Sequence, residues 1–385
     1  MLYYDSDDRF AHYTVCARLP ANHREFWVWP LKAAEFLRAG CGARTPNQVS
    51  YPPRAGFDDR FVVPANARAL MRQVEENAMS KRHAGGKPLV PLKVIIDTDI
   101  GDDIDDAIAI AYAARRPELD IRAVTTVYGP VKMRAKIVSK LLHVLGRDDI
   151  PFAPGAGRPL GPIADEHRLS LAPNQLPFVK ETDSLRAPAC ASAEELLLRA
   201  IEAHPNEIWL VTIGAMTNAA LLIQKHPQTA AKLKGIVSMA GETRLLLAEY
   251  NIQCDPDAAQ IVLRSGLMRF LGTLDVTRRI VMREKDMAAL RKADTPPCRA
   301  LIEMTDLWKP HQSSKVRPVV YDMCPLLWLY APQHFKTQPT GVAVELQGTL
   351  TRGMTVPVKE GPPIAVSCDV DRKAVLDELV HTLAG

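Results

Sequence analysis

The stretch VIIDTDIGDDIDDAIAI, residues 94–110, decides the fold of this chain and carries its densest chemistry. The β-branched residues before Asp97 predict a buried strand, and the alanine-rich run after Asp106 predicts a helix. Six aspartates fall on the loop of this strand–loop–helix unit: Asp97, Asp99, Asp102, Asp103, Asp105 and Asp106. We call residues 97–106 the acidic segment. So many negative charges in one turn repel one another unless a cation or the helix N-terminus offsets them.

A hard divalent cation is the economical partner for the acidic segment. Ligands made only of carboxylates, with no histidine or cysteine nearby, favour Ca²⁺ or Mg²⁺, and a flexible site with many oxygens favours the larger Ca²⁺. The alternative is a set of helix caps and turn residues on a solvated loop. Because a cap needs only one or two carboxylates, that alternative does not account for the whole cluster.

The composition of the 385-residue chain favours a globular protein that acts on a small molecule. A hydrophobic content of 47% suffices for a sizeable core, and a formal net charge of +4 without a long basic run argues against nucleic-acid binding. The seven cysteines are scattered and form no CxxC pair, which indicates a reducing compartment. No apolar run is long enough to span a membrane, so we expect a cytoplasmic protein.

Residues 1–90 are predicted to be an N-terminal extension of unknown role. They are rich in aromatic residues but contain only two helical candidates, residues 30–39 and 65–79. Residues 80–91, SKRHAGGKPLVP, have the composition of a basic linker. Two interpretations stay open: an extension partly packed on the main domain, and a dedicated module. The catalytic domain is predicted at residues 92–385.

Strand and helix patterns alternate from Leu92 onward. The predicted strands are residues 121–128, 208–213 and 235–239, and the predicted helices are residues 132–145, 192–203, 218–224 and 257–264. This alternation predicts an α/β fold with an open, mostly parallel sheet and helices on both faces. Ligands of such sheets bind outside the carboxyl ends of the strands, where the acidic segment and the later polar clusters fall.

A series of motifs, in this order, resembles the nucleoside hydrolase family, also called inosine–uridine-preferring nucleoside hydrolases. The motifs are DTDIG followed by DDA, AVTTVYG, GRDDIPFAPGAGRPL, IGAMTNAAL, IVSMAGE, AEYNIQCDPDAA, LDVT, YD and TRGMTV. The resemblance runs from about Leu92 to the C-terminus. It implies a calcium-dependent enzyme that hydrolyses the bond between ribose and a nitrogen base. It also implies a homo-oligomer, with dimer and tetramer both open.

The resemblance assigns roles to particular residues. The implied calcium ligands are Asp99, Asp106 as a bidentate carboxylate, the main-chain carbonyl of Thr217, and Asp322. Four protein groups leave room in a calcium shell for a water and two sugar hydroxyls, so Asp322 is also counted among the substrate contacts.

Catalytic and sugar-binding roles are implied as well. Asp105 matches the general base that takes a proton from the attacking water. Glu249 and Asn251, in AEYN, match residues that hydrogen-bond the ribose hydroxyls. The neighbouring carboxylates suit the positive charge that develops on the sugar in the transition state.

Each role has a structural alternative. Thr217 could merely cap the helix that follows it, and Glu249 and Asn251 could be ordinary polar loop residues. Asp255, which precedes a proline, is expected to be an N-cap rather than a catalytic group. A lone aspartate after an apolar pair, such as Asp322, is usually a cap.

The chain also departs from the family pattern. Three residues, 102–104, separate Gly101 from the paired aspartates where one is usual, so Asp103 is a substitute for Asp105. The asparagine usual after the second strand is Pro130, which has no side-chain donor. Thr243 stands where another sugar-binding asparagine is common.

The residue that protonates the leaving base also departs from the pattern. The histidine that serves in some relatives is Tyr321 here, so a phenol is the expected donor. His167, in the flap-like residues 161–176, and His311 are substitute donors, and Trp308 could stack on the base.

Two other functions stay open. A non-catalytic or differently selective homologue would keep the metal loop but bind rather than turn over nucleosides. Alternatively, the apolar run before DxD resembles the phosphatase signature of the haloacid dehalogenases, with Asp97 as nucleophile and Mg²⁺ as partner, although AEYN and GAMTN have no place in it.

Overall fold

A computed structural model describes residues 90–163, 165–313 and 316–385. The predictions for the N-terminal extension and for most of the linker concern residues 1–89 and lie outside the described residues. The strands are β1 (Leu92–Thr98), β2 (Leu119–Thr126), β3 (Phe152–Pro154), β4 (Trp209–Thr212), β5 (Gly235–Met239), β6 (Met268–Gly272), β7 (Phe335–Val344), β8 (Thr355–Val358) and β9 (Ile364–Val370).

The α-helices lie between these strands and at the C-terminus. They are α1 (Asp105–Ala114), α2 (Val131–Val144), α3 (Glu166–Ser170), α4 (Ala193–Ala203), α5 (Thr217–Lys225), α6 (Pro227–Ala230), α7 (Tyr250–Cys254), α8 (Pro256–Arg264), α9 (Leu274–Thr277), α10 (Glu284–Ala293), α11 (Pro296–Trp308), α12 (Met323–Trp328) and α13 (Arg372–Ala384). Short 3₁₀ turns occur at Leu176–Phe178, Lys309–His311 and Pro332–His334.

The strands form one mixed sheet in the order β3-β2-β1-β4-β5-β6-β9-β7-β8. Neighbours from β3 to β9 are parallel, whereas β7 runs antiparallel to both β9 and β8. The hairpin edge therefore lies at one end of an otherwise parallel sheet. The prediction of an open, mostly parallel α/β sheet is confirmed.

Both faces of the sheet are buried under helices. Along β1, Val94 and Ile96 belong to one hydrophobic core and Ile95 to the other, because successive side chains of a strand point to opposite faces. The first core is completed by α1, α2, α10, α11, α12 and α13, and the second by α4, α5 and α8. A strand buried on both sides explains why its sequence is continuously apolar.

The strand order reverses between β1 and β4. The chain proceeds from β1 to β2 and β3 on one side, and then returns to place β4 against the other side of β1. Loops that follow β1 and β4 leave the sheet in opposite directions and open a crevice at its carboxyl edge. The acidic segment and residues 213–217 meet there, since Ile213 donates its N–H to the carbonyl of Asp97 at 2.8 Å.

Candidate active site

Three carboxylates converge at the carboxyl edge of the sheet. Oxygen atoms of Asp105, Asp106 and Asp322 all lie within 4.8 Å of one another, and the three side chains are buried. Asp105 and Asp106 form the first turn of α1, whose positive N-terminus favours negative charge. The Thr98 hydroxyl, at the end of β1, donates to the Asp106 carboxylate and holds it in place.

Asp322 reaches this cluster from more than 200 residues away in the chain. It occupies the N-cap position of α12, yet its side chain accepts no capping hydrogen bond. Its carboxylate faces Asp105 and Asp106 instead, so the alternative in which Asp322 is a simple cap is wrong. The YD motif thus contributes a carboxylate to the site.

Asp99 sits beside the three clustered carboxylates. Its charge is among the causes that raise the pKa values of Asp106 and Asp322. The loop after β4 approaches it closely, and only a glycine permits this, because a Cβ on Gly214 would lie 2.9 Å from both the amide nitrogen and Oδ1 of Asp99. The GAM motif therefore brings the β4 loop against a predicted metal ligand.

The electrostatics of the cluster call for a cation. Burial and the neighbouring carboxylates raise the pKa values of Asp105, Asp106 and Asp322 well above their usual range. Burial raises the pKa of Asp99 to about 6 against the opposing effect of the Arg134 guanidinium, and the pKa of Asp103 to about 6. An all-oxygen donor set with this much buried negative charge fits a hard divalent ion, which would offset the repulsion that otherwise keeps protons on these groups.

Asp97 lies in β1 and is sealed inside the sheet. It has no exposed surface, and one of its oxygens accepts from Thr125 Oγ1 at 2.6 Å and from Asn218 Nδ2 at 2.8 Å. Asn218 also accepts from the Ala156 amide, so it joins three neighbouring segments. A nucleophile must reach its substrate, and the phosphatase alternative, which requires Asp97 in that role, is therefore not supported.

Glu249 and Asn251 lie at the same edge of the sheet, where their side chains form hydrogen bonds with backbone groups. The Glu249 carboxylate caps α7, accepting from the amides of Asn251 and Ile252, and also accepts from Gly241 N at 2.9 Å. Burial raises its pKa to about 7, despite these bonds, and the charge of Asp99 adds to the shift. The Asn251 amide donates to the carbonyl of Met239 at 3.0 Å, across the end of β5. Their role in binding ribose stays a prediction.

Thr217 begins α5, and its side chain does not cap that helix. Its hydroxyl donates instead to Asp255 Oδ2 at 2.7 Å. Asp255 is the N-cap of α8, where it accepts from Ala258 N at 3.1 Å, so the expected capping role of Asp255 is confirmed. The carbonyl of Thr217 stays a predicted metal ligand.

Tyr321 stands next to the carboxylate cluster. Burial and the charges of Asp103, Asp105 and Asp322 raise the pKa of its phenol above the ordinary value, so it keeps its proton at neutral pH but is a weaker acid than a free phenol. The two substitute donors, His167 on α3 and His311, are exposed. The suggestion that Trp308 stacks on the base is wrong, because this side chain is 2% exposed and packs in the first hydrophobic core.

The flap-like residues pack against the acidic segment. Gln175 donates two hydrogen bonds there: its backbone N–H donates to the carbonyl of Gly101 at 2.8 Å, and its side-chain amide donates to the carbonyl of Asp103. Gly101 has a φ of +123°, and a Cβ on it would lie 2.6 Å from Pro173. The Arg168 guanidinium lies 4.4 Å from the centre of the Tyr250 ring. The flap therefore borders the site directly.

The sequence motifs did not identify Arg134 as a residue of the site. Its side chain is 3% exposed and bonds to the backbone of the acidic segment and to Asp102. A signal was present in the sequence, because Arg134 occupies a core-facing position of the amphipathic helix α2 together with Ala135, Val138 and Leu141. A charged residue on a buried helical stripe indicates a specific partner.

The family model for inosine-uridine preferring nucleoside hydrolases matches residues 94–377. The chain belongs to this family. The resemblance inferred from the motifs is thereby confirmed, and so is the prediction that the protein is an enzyme of the N-ribosyl nucleoside hydrolase type.

The chain matches curated relatives over nearly the whole length of those relatives. This hydrolase is 35% identical over 313 residues to the pyrimidine-specific ribonucleoside hydrolase RihA of Citrobacter koseri, covering 76% of this chain and 98% of the relative. It is 36% identical over 313 residues to RihA of Escherichia coli O9:H4, with the same coverage.

Solved structures of nucleoside hydrolases share the fold. A plant nucleoside hydrolase, PpNRh1, superimposes with a TM-score of 0.67 at 26% identity, covering 77% of this chain and 100% of its own. A purine-preferring ribonucleoside hydrolase from Gardnerella vaginalis gives a TM-score of 0.67 at 25% identity, covering 76% and 98%.

Two further observations concern the environment of this hydrolase. Within the described residues, no helix combines the length and the apolarity that a membrane crossing requires. The cysteines at positions 190, 254, 298, 324 and 368 are free thiols.

The raised carboxyl pKa values predict how stability varies with pH when cations are removed. Burial raises the pKa values of Asp97 and Glu249 to about 7 and those of Asp99 and Asp103 to about 6, against ordinary values of 3.8 for Asp and 4.5 for Glu. The folded state therefore holds protons that the unfolded state releases, so this stability is present near pH 4 and is lost as the pH rises through 6 to 7.

Thermal unfolding in excess chelator, from about pH 4.5 to 8, measures this effect. We expect the midpoint to fall over that window. The isosteric variant Asp97→Asn, which removes one carboxyl whose pKa burial raises to about 7, should flatten the upper part of the curve. A midpoint that rises across the window would contradict the prediction.

Proposed function

We propose that this hydrolase cleaves the N-glycosidic bond of ribonucleosides in a calcium-dependent reaction. The observation that carries the proposal is the convergence of Asp105, Asp106 and Asp322 at the carboxyl edge of the family's sheet. A ribonucleoside offers the hydroxyls and the anomeric carbon on which such a site can act.

The calcium ligands proposed are Asp99, Asp106, Asp322 and the carbonyl of Thr217, with Asp103 as a substitute. Their oxygens are hard donors from three separate parts of the chain, namely the acidic segment, the start of α5 and the start of α12, and an ion larger than Mg²⁺ tolerates such an irregular set. When bound, calcium lowers the pKa of a water molecule and offers coordination positions to two ribose hydroxyls.

The protein groups supply the proton transfer and the orientation of the sugar. We assign Asp105 as the general base, because it belongs to the carboxylate cluster and begins α1. The surrounding carboxylates favour the positive charge that develops on ribose as its bond to the base breaks. Asn251, whose side chain bonds the carbonyls of Ile213 and Met239 after β4 and at the end of β5, and Glu249, which accepts from Gly241 N, are proposed to hold the ribose hydroxyls.

The relatives suggest which base is attached to the ribose. Those at 35–36% identity are named pyrimidine-specific, whereas the Gardnerella structure at 25% identity is named purine-preferring. We therefore propose pyrimidine ribonucleosides as the first substrates to test. The catalytic domain is proposed to begin at Leu92, and the enzyme to act as a homo-oligomer in the cytoplasm, a compartment that its free thiols suit.

A ribonucleoside panel tests the function. Wild-type protein should release free ribose from pyrimidine ribonucleosides in calcium and lose that activity in excess chelator. Asp106→Asn, which removes a proposed bidentate ligand, should greatly weaken calcium binding in calorimetry, as should Asp99→Asn.

The control for this panel is Asp286→Asn, which alters a buried carboxylate of α10 that pairs with Arg283, outside the cluster. Calcium binding without release of ribose from any nucleoside would favour the non-catalytic alternative. Unchanged calcium affinity in both ligand variants would refute the ligand assignment.

The general base is tested by Asp105→Ala. This variant should keep calcium binding but lose turnover by about a hundredfold or more, the typical contribution of a positioned base. Full activity in Asp105→Ala, combined with a loss in Asp103→Ala, would move the role to Asp103. Wild-type rates in both would show that neither aspartate is the base.

The leaving group is tested by comparing two substrates. A nitrophenyl riboside expels nitrophenolate, a stable anion that needs no acid, whereas a natural base departs more readily when protonated. Because the phenol of Tyr321 is a weak acid, we expect the nitrophenyl riboside to be cleaved far faster than inosine or a pyrimidine ribonucleoside. Tyr321→Phe should slow only the natural substrate. Equal losses on both would assign Tyr321 to positioning the sugar or Asp322.

A further inference from the structure

The guanidinium of Arg134 lies under the acidic segment and is almost completely buried, with 3% of its side chain exposed. A buried guanidinium is stable only when its several N–H donors find acceptors. The acceptors of Arg134 come from two neighbouring loops at the carboxyl edge of the sheet. This arrangement distinguishes it from the arginines that lie in exposed ion pairs.

The first loop that Arg134 binds is the acidic segment. Its Nη1 donates to the carbonyl of Ile100 at 2.9 Å and also to the carbonyl of Asp99. Its Nη2 donates to Asp102 Oδ2 at 2.8 Å. The guanidinium of Arg134 thus bonds the acidic segment both at Asp99, a proposed calcium ligand, and at Asp102.

The second loop follows β2. Nε of Arg134 donates to the carbonyl of Tyr128 at 2.8 Å. Tyr128 has a φ of +62°, a conformation that is rare for a residue with a side chain and must be held by its surroundings. Arg134 therefore couples the shape of this loop to the shape of the acidic segment.

Two departures of this chain from its family meet at Arg134. The acidic segment is two residues longer than usual, and Asp102 is one of the three residues that stand where one is usual. Pro130 replaces the usual asparagine at the start of α2 and has no side-chain donor. Arg134, one helical turn later on the same helix, supplies donors to both loops.

We propose that Arg134 is a positioning residue that holds the lengthened acidic segment in its cation-binding shape, with Asp99 aimed at the carboxylate cluster. The inference rests on the calcium site of the proposed function. A positioning role and a purely electrostatic role of Arg134 predict opposite changes in calcium affinity when the residue is replaced. A positive charge beside a cation site repels the cation, so removing it for electrostatic reasons alone would strengthen binding. Removing a positioning group weakens binding instead.

The experiment compares Arg134→Met and Arg134→Lys in the full chain. Arg134→Lys keeps the charge but cannot reproduce the planar fork that reaches three carbonyls and a carboxylate. Calorimetry with calcium should show affinity reduced by about 10- to 100-fold in both variants, the usual effect of losing a group that orients ligands. Arg147→Met is the matched control, because Arg147 also pairs with an aspartate and bonds a carbonyl, but that carbonyl is that of Ala114 at the C-terminal end of α1 and not part of the acidic segment.

Hydrogen exchange in chelator supplies a readout that needs neither calcium nor activity. Amides of residues 100–106 should exchange faster in Arg134→Lys than in wild type, while those of β4 and β5 stay unchanged. If wild-type protein binds no calcium and releases no ribose, the proposed function fails, and hydrogen exchange still tests Arg134 by itself.

Three results would overturn the inference. The first is unchanged calcium affinity in Arg134→Lys, with unchanged exchange, since charge alone would then suffice. The second is tighter calcium binding in Arg134→Met, which would assign Arg134 a purely electrostatic role. The third is failure of both variants to fold even in saturating calcium, which would make Arg134 a residue of the general core.

Discussion

The structure depends on the mutual repulsion of carboxylates buried at one edge of the sheet. Asp105, Asp106 and Asp322 lie within 4.8 Å of one another, and Asp99 adds its charge to theirs. In a buried setting such a group holds its protons or binds a cation, because solvent no longer separates the charges. The features around it oppose the repulsion or keep the geometry: the Thr98 hydroxyl, the N-terminus of α1, and the guanidinium of Arg134. A metal-dependent active site is what this concentration of charge favours.

The strand order explains how residues so far apart meet. Reversal of the chain between β1 and β4 opens a crevice at the carboxyl edge, and the loops after β1, β4 and β5 all end there. The C-terminal hairpin supports the last of these loops, since Thr355 accepts from Glu242 N at 2.9 Å and donates to the Glu242 carbonyl. The TRGMTV motif thus has a structural purpose: it holds the loop that leads to Glu249.

The departures from the family pattern fall on the acidic segment, the β2 loop and the residue beside Asp322. The first two are accommodated by Arg134, which bonds both loops from a buried position on α2. The third departure is Tyr321. Burial and the charges of Asp103, Asp105 and Asp322 raise the pKa of its phenol. The residue predicted to protonate the leaving base is thus a weaker acid than an imidazolium would be.

By itself the sequence determined the α/β class, the position of the acidic segment after the first strand, the capping role of Asp255 and the family. These follow from local periodicity, from caps and from ordered motifs, all of which are written along the chain. Only the tertiary structure decided that Asp322 joins the cluster instead of capping α12, that Asp97 is sealed inside the sheet, and that Trp308 packs in the core. It also revealed the bonds of Arg134. The physical reason is that a side chain's partners come from segments distant in sequence, and packing of the strands and helices fixes which of them it meets.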